Sequence, residues 1–211
     1  MDRKTIKQYA KEKIKNNFWT AYLVGLIPSL AGFCDGIFRF TFTKPEYSSN
    51  INSNYEFMIT IGTSLFYVFV SYLVLSFFMK NSKEKAKFHD MVDGLDTSRY
   101  FDFVKVNFVV YVKIFLWSLL FVIPGIIKGL EYTFVPYIKI EHPEYTTDEC
   151  FDLSKQMTDG RKLDIFILNL SFIGWFILSA LTFGLVFPFT AAYQNQALAD
   201  LYYDISGEQR Y

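Results

Sequence analysis

The sequence predicts an all-α fold: a polytopic transmembrane bundle of about six spans, arranged as helical hairpins, with amphipathic cytoplasmic helices. Three observations predict it. Of the 211 residues, 52% are hydrophobic and 20% aromatic, which exceeds the apolar content of an ordinary soluble domain. Residues 165–199 include no Asp, Glu, Lys or Arg over 35 positions. As one helix they would measure roughly 52 Å, against about 30 Å of bilayer hydrocarbon. Finally, basic residues concentrate between the apolar stretches, as they do where loop charge sets topology.

Residues 1–17 predict a basic amphipathic helix at the amino terminus. Ile6, Ala10, Ile14 and Phe18 recur every four positions, with lysines between them. Such a helix suits the surface of an anionic membrane. The alternative is a cytoplasmic extension of the first span, and the sequence separates the two interpretations only weakly.

The remaining chain predicts one transmembrane domain over residues 18–205, followed by a cytoplasmic tail over 206–211. We expect the first span to kink or break near Pro28 and the third to end at Pro124-Gly125, because proline lacks the amide donor that a helix interior needs. Gly184 divides the long charge-free stretch into the last two spans. The predicted spans cover about residues 18–40, 57–79, 104–124, 126–141, 163–183 and 186–204.

Charge predicts the topology of these spans. Residues 1–17 and 80–102 hold eleven of the 21 basic residues, whereas the polar loop 41–56 holds one. The positive-inside rule therefore places the first two segments in the cytoplasm and the loop outside. The protein is thus predicted to be a multi-pass protein of the bacterial cell membrane, with both termini in the cytoplasm.

The segment 126–141 admits three interpretations: a short returning span, a re-entrant helix or a helix on the surface. The connector 141–163 contains three basic residues, Lys155, Arg161 and Lys162, so it should also be cytoplasmic. The chain then has to cross back between Pro124 and Glu141. This requirement favours a short fourth span.

The connector also predicts an amphipathic helix over residues 147–159. Thr146 and Glu149 have the Thr-x-x-Glu spacing of a capping box, and Cys150, Leu153 and Met157 follow at helical spacing. We expect these three side chains to form the apolar face of a helix of about three turns.

Polar side chains within the last two predicted spans form the candidate intramembrane site. Polar groups in hydrocarbon usually face the bundle interior or a wet cavity, so they indicate either a polar pathway or a headgroup site. The alternative, which we favour, is hydrogen bonding between helices. The residues concerned are Asn169, Gln194, Asn195, Gln196 and Asp200.

Signatures of catalysis are absent from the sequence. It has no Gly-rich phosphate loop and no nucleophile elbow. His89 and Asp93 offer only two ligands, and a metal site needs more. We therefore predict no catalytic, cofactor-binding or metal-binding residues, no cofactor and no enzymatic activity. The net charge of zero argues against a nucleic-acid partner.

Three blocks of sequence, taken in this order, indicate a known protein family. The first block runs from Leu116-Trp117-Ser118-Leu119-Leu120 through Ile123-Pro124-Gly125-Ile126-Ile127-Lys128 to Val135-Pro136-Tyr137-Ile138. The second block contains Leu153-Ser154-Lys155-Gln156-Met157. The third block contains Leu170-Ser171-Phe172-Ile173-Gly174-Trp175, Leu181-Thr182-Phe183-Gly184, Pro188-Phe189 and Leu201-Tyr202-Tyr203. They resemble the bacterial integral membrane family catalogued as domain of unknown function 975. The resemblance implies a multi-span membrane protein without an assigned activity.

Two functions fit these features. The first is a non-enzymatic membrane module that assembles with, or regulates, other envelope proteins, so that its partners are the lipid bilayer and another membrane protein. The alternative is a small transporter or lipid-handling protein that acts as a homo-oligomer. This alternative is supported by the polar residues of the last two spans and by the helix breaks at Pro124-Gly125 and Gly184, because broken helices often mark transport sites.

Overall fold

The computed structural model describes residues 3–42, 53–92 and 96–207. Their regular structure is entirely helical, so the predicted all-α class is confirmed. Asp93, most of the predicted loop 41–56 and most of the tail 206–211 lie outside the described residues. The helices are α1 Arg3–Asn16, α2 Phe18–Phe42, α3 Ser53–Lys83, a 3-10 turn Phe88–Met91, α4 Thr97–Leu120, α5 Val122–Glu131, α6 Val135–Glu141, α7 Thr147–Thr158, α8 Lys162–Leu170, α9 Ile173–Leu181 and α10 Phe187–Ser206.

Two helical segments of the described chain are long and apolar enough to cross a membrane. They are Met58–Lys83 and Lys162–Leu181, and Phe18–Ala31 is a shorter apolar helix. Only 22% of the apolar window in each long segment is buried within the protein, whereas the core helix of a soluble domain would be mostly buried. The two segments therefore indicate association with a membrane.

Helices α1 and α2 form a hairpin that turns at Asn17. The Tyr193 hydroxyl donates to the Lys7 carbonyl (3.2 Å), and Lys13 Nζ lies 2.7 Å from Asp200 Oδ1, so α1 runs along α10 in the same direction. Gly25 of α2 lies instead against Pro188 near the start of α10. Helix α2 therefore runs antiparallel to both.

The apolar face of α1 is covered by protein. Ile6, Ala10 and Ile14 are exposed by only 1%, 0% and 3%, and α10 is the main neighbour of the helix. The basic amphipathic helix predicted over residues 1–17 is thus present as α1, but its apolar face is covered by protein rather than free to lie on lipid, and a turn at Asn17 separates it from α2. The reason is that the same apolar periodicity serves protein packing equally well.

Prolines interrupt the helices less than predicted. Helix α2 continues through Pro28 without a break. Helix α4 ends at Leu120 rather than at Pro124, because Phe121 adopts an extended backbone (φ −159°, ψ 145°). Pro124 then falls in the first turn of α5, where the amide hydrogen that it lacks has no helical partner anyway.

The short fourth span predicted over residues 126–141 is two helices, α5 and α6. They have 10 and 7 residues, so they measure roughly 15 and 10 Å and each is shorter than the hydrocarbon core. Each of the two helices ends on a carboxylate that has a basic partner. Lys162 and Lys128 bind Glu131 at 2.5 and 2.6 Å, and Lys83 binds Glu141.

The turn predicted at Gly184 is present between α9 and α10. Phe183 and Gly184 have φ values of +52° and +85°, and the Gly184 amide donates to the Ser179 carbonyl (2.7 Å). Left-handed backbone at the end of a helix favours glycine, because glycine lacks the Cβ that would clash. The charge-free stretch is thus a helical hairpin, and its first arm has a further turn at Ser171-Phe172.

The capping box predicted at the start of α7 is present. The Glu149 carboxylate accepts from the Thr146 amide (2.7 Å), and the Glu149 amide donates to the Thr146 hydroxyl (3.4 Å). The Thr146 backbone amide, followed by its hydroxyl, lowers the pKa of Glu149 because both stabilise the ionised form.

The buried face of α7 differs from the predicted one. Cys150 is buried as expected, but Leu153 and Met157 are only half-buried, whereas Phe151 and Ser154 are fully buried. Contacts from other helices cause this rotation. Tyr132 packs edge-on against Phe151 (4.8 Å between centroids), Lys113 Nζ lies 3.6 Å from the centre of the same ring, and the Ser154 hydroxyl donates to the Glu131 carbonyl (2.6 Å).

Candidate functional site

A buried polar cluster joins α1, α3 and α10 close to the α1–α2 turn. Its carboxylate and its amides are almost completely removed from solvent, and Gln196 and Asp200 are fully buried. The helical period places Gln196 and Asp200, four residues apart, on one face of α10. The cluster consists of Lys13, Asn17, Asn81, Ser82, Gln196 and Asp200.

Asp200 is the anionic centre of the polar cluster. Its Oδ1 accepts from Lys13 Nζ at 2.7 Å and from Gln196 Nε2 at 3.2 Å. Lys13 also donates to the Ser82 carbonyl at 2.5 Å. Burial of a carboxylate is costly unless it is paired and hydrogen-bonded, and the contacts from α1 and α10 supply that compensation.

A chain of amide contacts extends from Asp200 to the α1–α2 turn. Asn81 donates to Gln196 Oε1 (2.6 Å), and Gln196 donates to the Ser82 hydroxyl (2.8 Å). Asn17 donates to Asn81 Oδ1 (3.2 Å) and to the Ala86 carbonyl (2.6 Å). The arrangement fixes α1 against α3 and α10, because each donor reaches an acceptor on a different element.

The five polar residues predicted as a site lie in three separate places. Gln196 and Asp200 belong to the polar cluster. Gln194 donates to Asn169 Oδ1 (3.2 Å) and so links α10 to α8. Asn195 donates to the Ala191 carbonyl of its own helix (2.9 Å) and lines a cavity.

The cavity beside Asn195 has a volume of about 310 Å³ and lies between α2, α3, α4, α6 and α10. Its lining residues with polar groups in their side chains are Tyr67, Ser71, Asn107, Tyr111, Tyr137 and Asn195. A space of this size corresponds to the lower end of small-molecule sites.

Four members of the polar cluster were not predicted: Lys13, Asn17, Asn81 and Ser82. Asn17, Asn81 and Ser82 all stand at the boundary of an apolar stretch, which is the signal that could have identified them. Their partners could not be predicted, since the Lys13–Asp200 contact joins residues 187 positions apart.

Comparison with known proteins gives one match. Residues 119–209, which include α5 to α10, match the family model described as Protein of unknown function (DUF975). No curated protein and no solved structure matches the chain. The matched region contains Gln196 and Asp200 but not the other four members of the polar cluster. The resemblance of the sequence blocks is therefore confirmed: residues 119–209 match the same family that the blocks indicated, DUF975.

Proposed function

We propose that this protein is a multi-pass protein of the bacterial cell membrane with about six crossings and both termini in the cytoplasm. The observation that supports this best is the exposure of large apolar side chains. Phe183 is fully exposed at the α9–α10 turn, and Phe121 and Ile123 are exposed at the α4–α5 junction. Contact of such surface with water costs about 25 cal/mol per Å², and lipid removes that cost.

The charged groups support the proposed orientation. Lys83 binds Glu141, Lys162 binds Glu131, and Arg161 lies 3.9 Å from Asp204. These pairs join the ends of α3, α8 and α10 that the positive-inside rule places in the cytoplasm. The proposal thus gives the bundle a charged cytoplasmic face and apolar turns on the opposite side.

Within that membrane, we propose a non-enzymatic module that assembles with or regulates other envelope proteins. In support, Asn169, Gln194, Gln196 and Asp200 bind other helices, so these polar groups stabilise the bundle. A second candidate is an oligomeric transporter or lipid-handling protein. The specific observation in its favour is the cavity that Asn195 lines.

The topology predicts the behaviour of reporter fusions. A fluorescent protein fused after Tyr211 should fluoresce, and alkaline phosphatase at the same position should be inactive, because both report a cytoplasmic location. The matched control is the same pair of reporters inserted after Ser48 in the predicted external loop, where the results should be reversed. An active phosphatase after Tyr211 would contradict the proposed orientation.

Purification from native membranes distinguishes the two functions. We expect extraction in a mild detergent, followed by mass measurement and protein identification, to recover a second membrane protein in a fixed ratio. Recovery of a homo-oligomer alone would support the transporter candidate instead. A monomer without any partner in repeated preparations would count against both functions, since six spans are few for a monomeric carrier.

A further inference from the structure

A charged pocket lies at the end of α3, apart from the polar cluster. It has a volume of about 250 Å³, and its charged lining residues are Lys80 and Lys83 of α3, Asp90, Arg99 of α4, and Glu141 of α6. Three cations thus face two carboxylates. The hydroxyl-bearing side chains of Tyr72, Ser76 and Tyr203 complete its polar wall.

Both carboxylates of the charged pocket already have strong partners. Lys80 Nζ lies 3.1 Å from Asp90 Oδ1, and the Lys87 amide donates to Asp90 Oδ2 (2.6 Å). Glu141 is bound by Lys83 and accepts from the Tyr203 hydroxyl (2.7 Å). Arg99 adds a positive charge beyond these pairs, so the pocket has an excess of positive charge. Lysine and arginine form charge-assisted hydrogen bonds to phosphate oxygens.

An apolar groove lies between α3 and α4, two of the helices that also line the charged pocket. Its volume is about 540 Å³, and Leu65, Val68, Val104 and Phe108 line it. Along α3 the groove extends to Ser71, and the next residue, Tyr72, lines the charged pocket.

Tyr100 and Tyr72 join the groove to the charged pocket. The Tyr100 hydroxyl donates to the Leu65 carbonyl (3.2 Å), and Leu65 lines the groove. The Tyr100 ring packs edge-on against Tyr72 (6.3 Å between centroids), and Tyr72 lines the charged pocket. Arg99 is the chain neighbour of Tyr100. The two spaces are therefore adjacent and have opposite character, one cationic and one apolar.

We propose that the charged pocket and the apolar groove together bind one anionic phospholipid. Lys80, Lys83 and Arg99 hold its phosphate, and the groove between α3 and α4 holds an acyl chain. The headgroup is anionic because the described lining residues carry an excess of positive charge, and both of their carboxylates, Asp90 and Glu141, already pair with a lysine rather than being open to a choline group. This inference rests on the proposed membrane insertion, which places the end of α3 at the cytoplasmic headgroup layer.

Native mass spectrometry of the full-length detergent-solubilised protein tests the proposal. We expect phosphatidylglycerol to bind at least tenfold more tightly than phosphatidylcholine with the same acyl chains. Arg99→Gln should weaken phosphatidylglycerol binding by roughly tenfold, which is the scale of one charge-assisted hydrogen bond. The matched control is Lys105→Gln, which removes one exposed cation from the same helix and should leave binding unchanged.

A second variant tests the groove. Val104→Trp fills the space between α3 and α4, so it should weaken phosphatidylglycerol binding by a similar factor. Val112→Trp on the exposed part of α4 is its control. Glycerol phosphate, which has no acyl chain, should not compete with the lipid at equal concentration.

Several results would overturn the inference: equal binding of the two lipids, equal loss in Arg99→Gln and Lys105→Gln, or full competition by glycerol phosphate. Thermal melts of each variant show whether it is folded, and a folded Arg99→Gln variant that retains full binding would also contradict the lipid site.

Carbonate extraction of membranes separates this inference from the proposed function. A protein released by carbonate refutes membrane insertion, whereas an integral protein without lipid preference refutes only the lipid site.

Discussion

Replacement of Lys13 by Met should lower the free energy of unfolding by about 3 kcal/mol, because removal of one partner of a buried ion pair strands the other. Asp200 is fully buried, whereas the Lys13 side chain is 24% exposed, so we expect the lower end of the usual range. For a chain of this length the loss corresponds to a decrease in Tm of roughly 6–12 °C. A thermal melt of the detergent-solubilised protein measures it.

The control is Lys105→Met on α4. Lys105 lies 3.4 Å from Asp102, and its side chain is 73% exposed, so its loss should cost less than about 1 kcal/mol. Addition of Asp200→Asn to the Lys13→Met variant should restore part of the stability, because the amide requires no cation. Equal melting temperatures for the two lysine variants would show that the Lys13–Asp200 pair does not hold α1 in place.

Replacement of Gly25 by Ala should destabilise the packing of α2 on α10 by about 2 kcal/mol or more. A Cβ at Gly25 would lie 2.2 Å from the Pro188 carbonyl oxygen and 3.1 Å from its carbonyl carbon. These are backbone atoms, so relief requires the two helices to separate. The higher helix propensity of alanine, worth about 1 kcal/mol, offsets only part of this cost. The same thermal melt measures the change.

Gly62→Ala on α3 is the matched control. Apart from the local backbone of α3, no atom of the described residues lies within 4 Å of a Cβ at Gly62, so this variant should be neutral or more stable by up to about 1 kcal/mol. If Gly25→Ala melts at or above the wild-type temperature, the close approach of α2 to α10 is refuted. Gly25 and Lys13 contact opposite ends of α10, so the effects of the two substitutions should be nearly additive.

Both predictions concern α10, because this helix is the centre of the bundle. It contacts α1, α2, α3 and α9, and it contributes Gln196 and Asp200 to the polar cluster. The small residues Ala192, Ala197 and Ala199 are buried in it, and small side chains allow helices to approach closely. The polar residues of the last predicted span thus lie where several helices meet.

The sequence by itself determined the features that depend on neighbouring residues. Apolar runs and their period determined the all-α class. The Thr146–Glu149 spacing determined the start of α7, and Gly184 determined the turn between α9 and α10. The sequence blocks also indicated the family. In each case the relevant atoms lie within a few residues of one another, so local hydrogen bonding and backbone sterics are sufficient.

Only the tertiary structure decided which faces meet. It packed the apolar face of α1 on the bundle, rotated the buried face of α7 toward Phe151 and Ser154, and divided residues 126–141 into two helices. It also joined Lys13 to Asp200 across 187 positions. The physical reason is that the pattern of residues on a helix shows only that one face must be buried against some other element. Which partner covers it depends on the packing of the whole bundle.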